Sequence, residues 1–403
     1  MANGCFAARF SLPGLMAAAL VAAGCQAIPD DGLSGPASEV VANGFNFPPR
    51  LRGGVTACAL LGAPFLGADL GTHGYYFSLS EKNGIAYTCR GGHIDTMHVR
   101  IAADWTAYLA AKSYEHLMRG DSSFSYKLLA DRSKHRVHIT YPDNWRNLPQ
   151  EQRRRIAREA ALVMGPYMTY IMVTWHEILT WCGYKSVGLI SESHSAFSWE
   201  DGYSNLLGTI IAARALRDTK HSYNEAVKIA LDEEMRRLGV QPAAVAKHAS
   251  ESVRGTWYTG YVGFFVEMRM HNFDIGVDDG LVGPTLVPDV RVCPDAQPAY
   301  YPAPSLDGLA RYGLSASVEI EPHEWEKGKL LRMADPQGRD KRIDPAVHFA
   351  PIMAHICREA AEKYGPKMLG QTPAFAVRNP PAHLQPVVAK TPKLQTPEAG
   401  KTD

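Results

Sequence analysis

In the run EQRRRIAREAALVMGPYMTYIMVTWHEILTWCG, residues 151–183, charged positions crowd the first third and almost vanish from the rest. The spacing predicts one long helix after Pro149, amphipathic at its start and apolar around its whole circumference later. Such a change places the second half in a core that surrounds it. Gly165-Pro166 is a kink point, because proline removes an internal hydrogen bond, and Gly183 is a natural stop. A second helical stripe runs through Ile94, Met97, His98, Ile101, Trp105, Leu109 and Tyr114, predicting a helix over 94–118. Between the two, SFSYKLLA and KHRVHITY alternate about the polar turn Asp131-Arg132-Ser133, the pattern of a hairpin.

Downstream, Ser198 followed by Asp201 resembles a capping box opening the helix EDGYSNLLGTIIAARAL. Further helices are expected at 222–238, 242–254 and 344–364, with loops and short strands in the Pro-rich stretch 285–321. The expected fold is α+β and helix-dominated, with a long buried central helix and a small β-hairpin or sheet. No internal repeat is visible, and residues 51–369 read as a single globular domain.

Composition agrees: 403 residues, 46% hydrophobic and 21% charged, suffice for a sizeable core. Forty-two basic residues against 41 acidic ones leave a formal charge of +1, so nothing general attracts nucleic acid. The ends differ. MANGCFAARFSLPGLMAAALVAAGCQ has a short basic lead and an apolar run too short to span a membrane, the form of a signal peptide. Its Ala-Ala-Gly-Cys ending resembles a bacterial lipobox. The expectation is a signal peptide over 1–25, lipidation at Cys25, and a lipoprotein on the periplasmic face of the outer membrane, since no aspartate follows the cysteine. Residues 26–50, rich in Gly, Pro, Ser and Asp, read as a flexible tether, and 370–403 as a disordered Pro/Lys-rich tail.

Candidate chemistry concentrates in three clusters. His176-Glu177 opens like a zinc-protease helix, but the position for the second histidine holds Thr180. An ionisable pair among apolar neighbours needs a partner, either a metal or an ordinary core ion pair. In GGHIDTMHVRIAADWT, Asp95 and His98 stand three apart on the predicted helix, like acid-x-x-His ligand pairs. There Arg100 and Asp104, at i,i+4, are expected to satisfy each other, and His93 to lie in a loop. In SESHSAFSWEDGYSN, Glu200 and Asp201 fall in a helix's first turn, where exposed amides favour carboxylates.

Together these supply imidazole from His98 and His176 and carboxylate from Asp95 and Glu200, with Glu177 as base on a bound water and Arg100, Asp104 and Asp201 in supporting positions. Such a mixed N/O set suits zinc or another divalent transition metal. A competing reading makes Cys89 a nucleophile, since a Gly-rich turn at a helix start lowers a thiol's pKa; alternatively Cys89 is in a disulfide, with Cys58 as a partner. The Trp and Tyr residues nearby are assigned mainly to the core. Without a phosphate-binding loop or dinucleotide fingerprint, no nucleotide cofactor is expected.

The segments NGIAYTCRGGHIDTMHVRIAADWT, WHEILTWCGY and SAFSWEDGYSNLLG resemble a family of bacterial exported proteins, domain of unknown function 4056, with a likeness extending over 45–365. The resemblance implies that the three segments surround one site, and implies no particular reaction. The expected function is a membrane-tethered envelope hydrolase acting on a peptide, glycan or lipid component. The alternative is a non-catalytic lipoprotein that binds an envelope ligand or partner.

Overall fold

The computed structural model describes residues 33–370 except 34, 50–63, 77, 128–132, 184, 187–189, 192–194, 261–266 and 324–326. The expected signal peptide with Cys25, residues 371–403 of the expected tail, and Cys58 lie outside the described residues.

Three helices form the centre: α1 (Thr96–Arg119), α2 (Gln150–Trp181) and α3 (Asp201–Ala215). Around them lie α4 (Tyr223–Leu238), α5 (Ala243–Ser252), α6 (Lys327–Ala334) and α7 (Pro345–Tyr364). Two small sheets complete the helix-dominated α+β fold. In the first, β1 (Phe65–Leu66) runs parallel to β2 (Ile85–Thr88), which pairs antiparallel with β3 (Gly92–Asp95) in the register Ile85↔Asp95 and Thr88↔Gly92. In the second, β5 (Lys134–Thr140) lies between β4 (Ser123–Lys127) and β6 (Ser315–Glu321), so the expected hairpin gains a third strand from far along the chain. Two-residue strand pairs elsewhere pin loops.

The long helix is buried as its composition demands: every residue from Met168 to Thr180 is inside. It continues through Pro166. Gly165 lies where α2 crosses α1, and a Cβ there would sit 2.7 Å from the Thr106 carbonyl oxygen and 2.8 Å from the Ala110 Cβ. Gly208 does the same where α3 crosses α1, with a Cβ falling 2.2 Å from the Val99 oxygen and 2.7 Å from the Ala102 Cβ. These contacts draw α1 tightly between its two neighbours.

Two local expectations fail. Residues 35–49 are not a free tether: Ala37, Val40 and Val41 are buried in the main core, and Phe45 stacks on Tyr75 with ring centroids 4.2 Å apart. A few apolar side chains were enough to dock a segment whose Gly and Pro content argued against it. Nor does Ser198 cap α3. The helix begins at Asp201 with Glu200 at the N-cap and no side-chain cap, and among the described residues the buried Ser198 hydroxyl has no hydrogen-bond partner.

Candidate metal centre

The site begins at the junction of β3 and α1. Asp95 ends the strand and caps the helix, its Oδ1 accepting from the amides of Met97 at 2.7 Å and His98 at 3.4 Å. Its Oδ2 bonds His98 Nδ1 at 2.8 Å. Asp95 is thus an N-cap rather than a residue within the helix, and this capping geometry is what brings carboxylate and imidazole together. The Asp95 amide donates to Ser204 Oγ at 2.9 Å, tying the junction to the first turn of α3. That turn carries Asp201, whose Oδ1 lies 3.4 Å from His98 Nε2.

Asp95, His98 and Asp201 are all buried, and their ligand atoms lie within 4.8 Å of one another. With Asp95 accepting the Nδ1 proton, a neutral His98 turns its Nε2 lone pair toward Asp201, leaving a lone pair facing a carboxylate. Two carboxylates flanking one imidazole are a mixed N/O donor set that suits a divalent cation. The spacing fits one as well: two donors held about 2.1 Å from a tetrahedral ion stand about 3.4 Å apart. A carboxylate on the second imidazole nitrogen is the usual device for orienting a metal-bound histidine. The chemistry of the donor set fits zinc or a similar divalent ion, with His98 and Asp201 as donors and Asp95 behind the imidazole.

Of the expected ligands, the cluster contains Asp95 and His98; it adds Asp201, and His176 and Glu200 lie outside it although both are buried. Asp201, expected only in a supporting position, faces the imidazole directly. Glu177 accepts the amide of Phe197 at 2.9 Å. Phe197 is in the left-handed region at φ 54°, costly for a non-glycine residue, and its carbonyl accepts from Asn272 at 2.9 Å. His271 donates from Nδ1 to the Ala196 oxygen at 3.0 Å. Glu177, Asn272 and His271 therefore grip the turn that delivers Glu200 and Asp201. Thr180, where a zinc-protease helix has its second histidine, donates to the His176 carbonyl at 2.8 Å.

Other expectations are corrected. His93 is not in a loop but on β3, donating from Nε2 to the Ala246 oxygen at 3.2 Å and accepting from Trp199 Nε1 at 3.3 Å. Burial pushes its pKa down to about 4, so it is a neutral cross-link. Arg100 and Asp104 each reach away from α1. Arg100 donates to the carbonyls of Leu70 at 2.8 Å and Thr72 at 2.9 Å, while Asp104 meets His73 Nε2 at 2.9 Å and Tyr223 Oη at 3.3 Å. Cys89 is bonded to Cys293, which removes the thiol nucleophile and gives Cys89 a different partner from Cys58. As expected, most of the aromatic residues are core: Trp105, Trp175, Trp199, Trp257 and Tyr258 are buried.

Asp201's role, the strained Phe197 turn and the part played by His271 were beyond sequence reasoning. The Asp at a helix start had a sufficient local explanation, and a left-handed Phe has no sequence signature. Neither a curated protein nor a solved structure matches the chain. Over residues 68–262, which hold Asp95, His98, Glu177 and Asp201 and are fewer than the 45–365 first expected, the chain is similar to the family described as protein of unknown function (DUF4056).

Proposed function

We propose that the protein is a metal-dependent hydrolase of the bacterial cell envelope, tethered through lipid on Cys25 and acting on a peptide, glycan or lipid component. One observation carries this reading: His98 Nε2 lies 3.4 Å from Asp201 Oδ1 while Asp95 holds the other face of the ring at 2.8 Å. His98 and Asp201 bind the ion, and Asp95 keeps the imidazole in the tautomer that binding requires. A bound zinc or similar ion supplies Lewis acidity and brings the pKa of a water toward neutrality. Glu177, whose carboxylate accepts the Phe197 amide, would serve as the residue that holds a proton at the site. The Cys89–Cys293 bridge supports an oxidising compartment such as the periplasm.

Metal content of protein purified without added metal, followed by zinc titration, tests the reading. One bound ion is expected, lost in His98→Ala and Asp201→Asn and kept in His176→Ala. Failure of the parent to bind any divalent ion, or undiminished binding by His98→Ala, removes the metal and with it the hydrolase.

A second reading has its own support. The same helix carries another buried acid–histidine network, in which His73 meets Asp104 at 2.9 Å and has Glu81 at 3.6 Å. If Asp95, His98 and Asp201 are a similar structural network, the protein is a non-catalytic envelope lipoprotein that binds a ligand or partner. Asp201→Asn would then change stability without any change in metal content.

A further inference from the structure

We infer that the groove between α6 and α7 is a binding site for an amphiphile with an anionic headgroup. This inference is independent of the metal reading. The groove encloses about 480 Å³, within the range of small-molecule sites. Lys329, Arg332 and Met333 contribute from α6, and Pro351, Ala354, His355 and Arg358 from α7. Positions 351, 354, 355 and 358 follow the i, i+3, i+4, i+7 rule, so one face of α7 carries both the apolar wall and the charge.

The charge balance is uneven. Glu359 lies 3.5 Å from Lys329 Nζ and 3.3 Å from His355 Nε2, so both already have a carboxylate neighbour. Among the described residues, Arg332 and Arg358 have no ion-pair partner. Two guanidinium groups at the edge of one concavity supply forked donors suited to phosphate or carboxylate. Met333, Pro351 and Ala354 offer the adjoining surface no polar group, so an inorganic anion would leave that wall unused. A headgroup joined to a short apolar body satisfies both parts.

Calorimetric titration of the full chain tests this with dihexanoyl phosphatidic acid below its micelle threshold, dihexanoyl phosphatidylcholine and inorganic phosphate. Phosphatidic acid is expected to bind at least roughly tenfold tighter than the other two. The Arg332→Gln/Arg358→Gln double variant, whose side chains are exposed, should weaken it by roughly tenfold or more, the loss of charge-assisted hydrogen bonds. Arg332→Lys/Arg358→Lys should recover part of that loss. Equal binding of inorganic phosphate removes the apolar wall from the site, and equal binding of phosphatidylcholine removes the charge; either overturns the inference. So does unchanged affinity in the double glutamine variant, or no binding of phosphatidic acid at millimolar concentration.

Discussion

His93 is a buried histidine whose partners give it a structural place in the fold. It bridges a carbonyl and an indole, and its pKa falls from 6.5 to about 4 because the charged form loses its hydration. His271, also buried and lowered to about 4, behaves alike. Each depressed pKa adds stability that is complete above about 6.5 and is lost as pH falls toward 4. For His93 the shift corresponds to about 3 kcal/mol at most. Urea unfolding between pH 7 and pH 4 should therefore show stability falling on acidification. His93→Gln, which keeps one donor and one acceptor, should flatten that fall; an unchanged slope would assign the pH dependence elsewhere. The residues of the candidate centre were only partly legible at this scale. Asp95 and His98 were picked out because three-residue spacing puts two side chains on one helix face. Asp201 reads from sequence only as a supporting residue, because the amides of a helix start already account for it.

The elements were more legible than their ends. α2, the hairpin and α3 to α5 all appear where periodicity placed them, because a buried stripe must repeat with its helix or strand. Only the cap of α3 differs: a turn with Phe197 in the left-handed region stands where a serine cap is expected. What sets the distance from His98 to Asp201 is the crossing of α1 and α3 at Gly208, two turns beyond Asp201. Gly208→Ala should destabilise the protein by about 1–3 kcal/mol through overpacking. It should also weaken metal binding by pushing α3 away from α1. Denaturant midpoints together with zinc titration check both effects. Lost stability with undiminished metal affinity would separate the crossing from the centre.

Across the whole molecule, the Cys89–Cys293 bridge joins the β2–β3 turn, just ahead of Asp95, to a loop 204 residues later. Closing so long a loop stabilises by restricting the unfolded chain, typically by about 2–5 kcal/mol. Reduction should lower the thermal midpoint of the parent and leave that of Cys89→Ser/Cys293→Ser unchanged. A parent indifferent to reductant would show that the surrounding contacts hold the loop alone. Among the described residues no helix is long and apolar enough to cross a membrane.

Sequence alone determined the helical class, the wholly buried second half of α2, and the segments in which acids and histidines gather. These follow from local periodicity and from the cost of burying charge, which neighbours along the chain reveal. Only the tertiary structure decided that Asp201 faces His98, that Cys293 reaches Cys89, and that Val40, Val41 and Phe45 join the core. Those outcomes depend on which backbones approach closely enough to touch, and that is settled by glycines at helix crossings and by turns whose strain is held by distant partners.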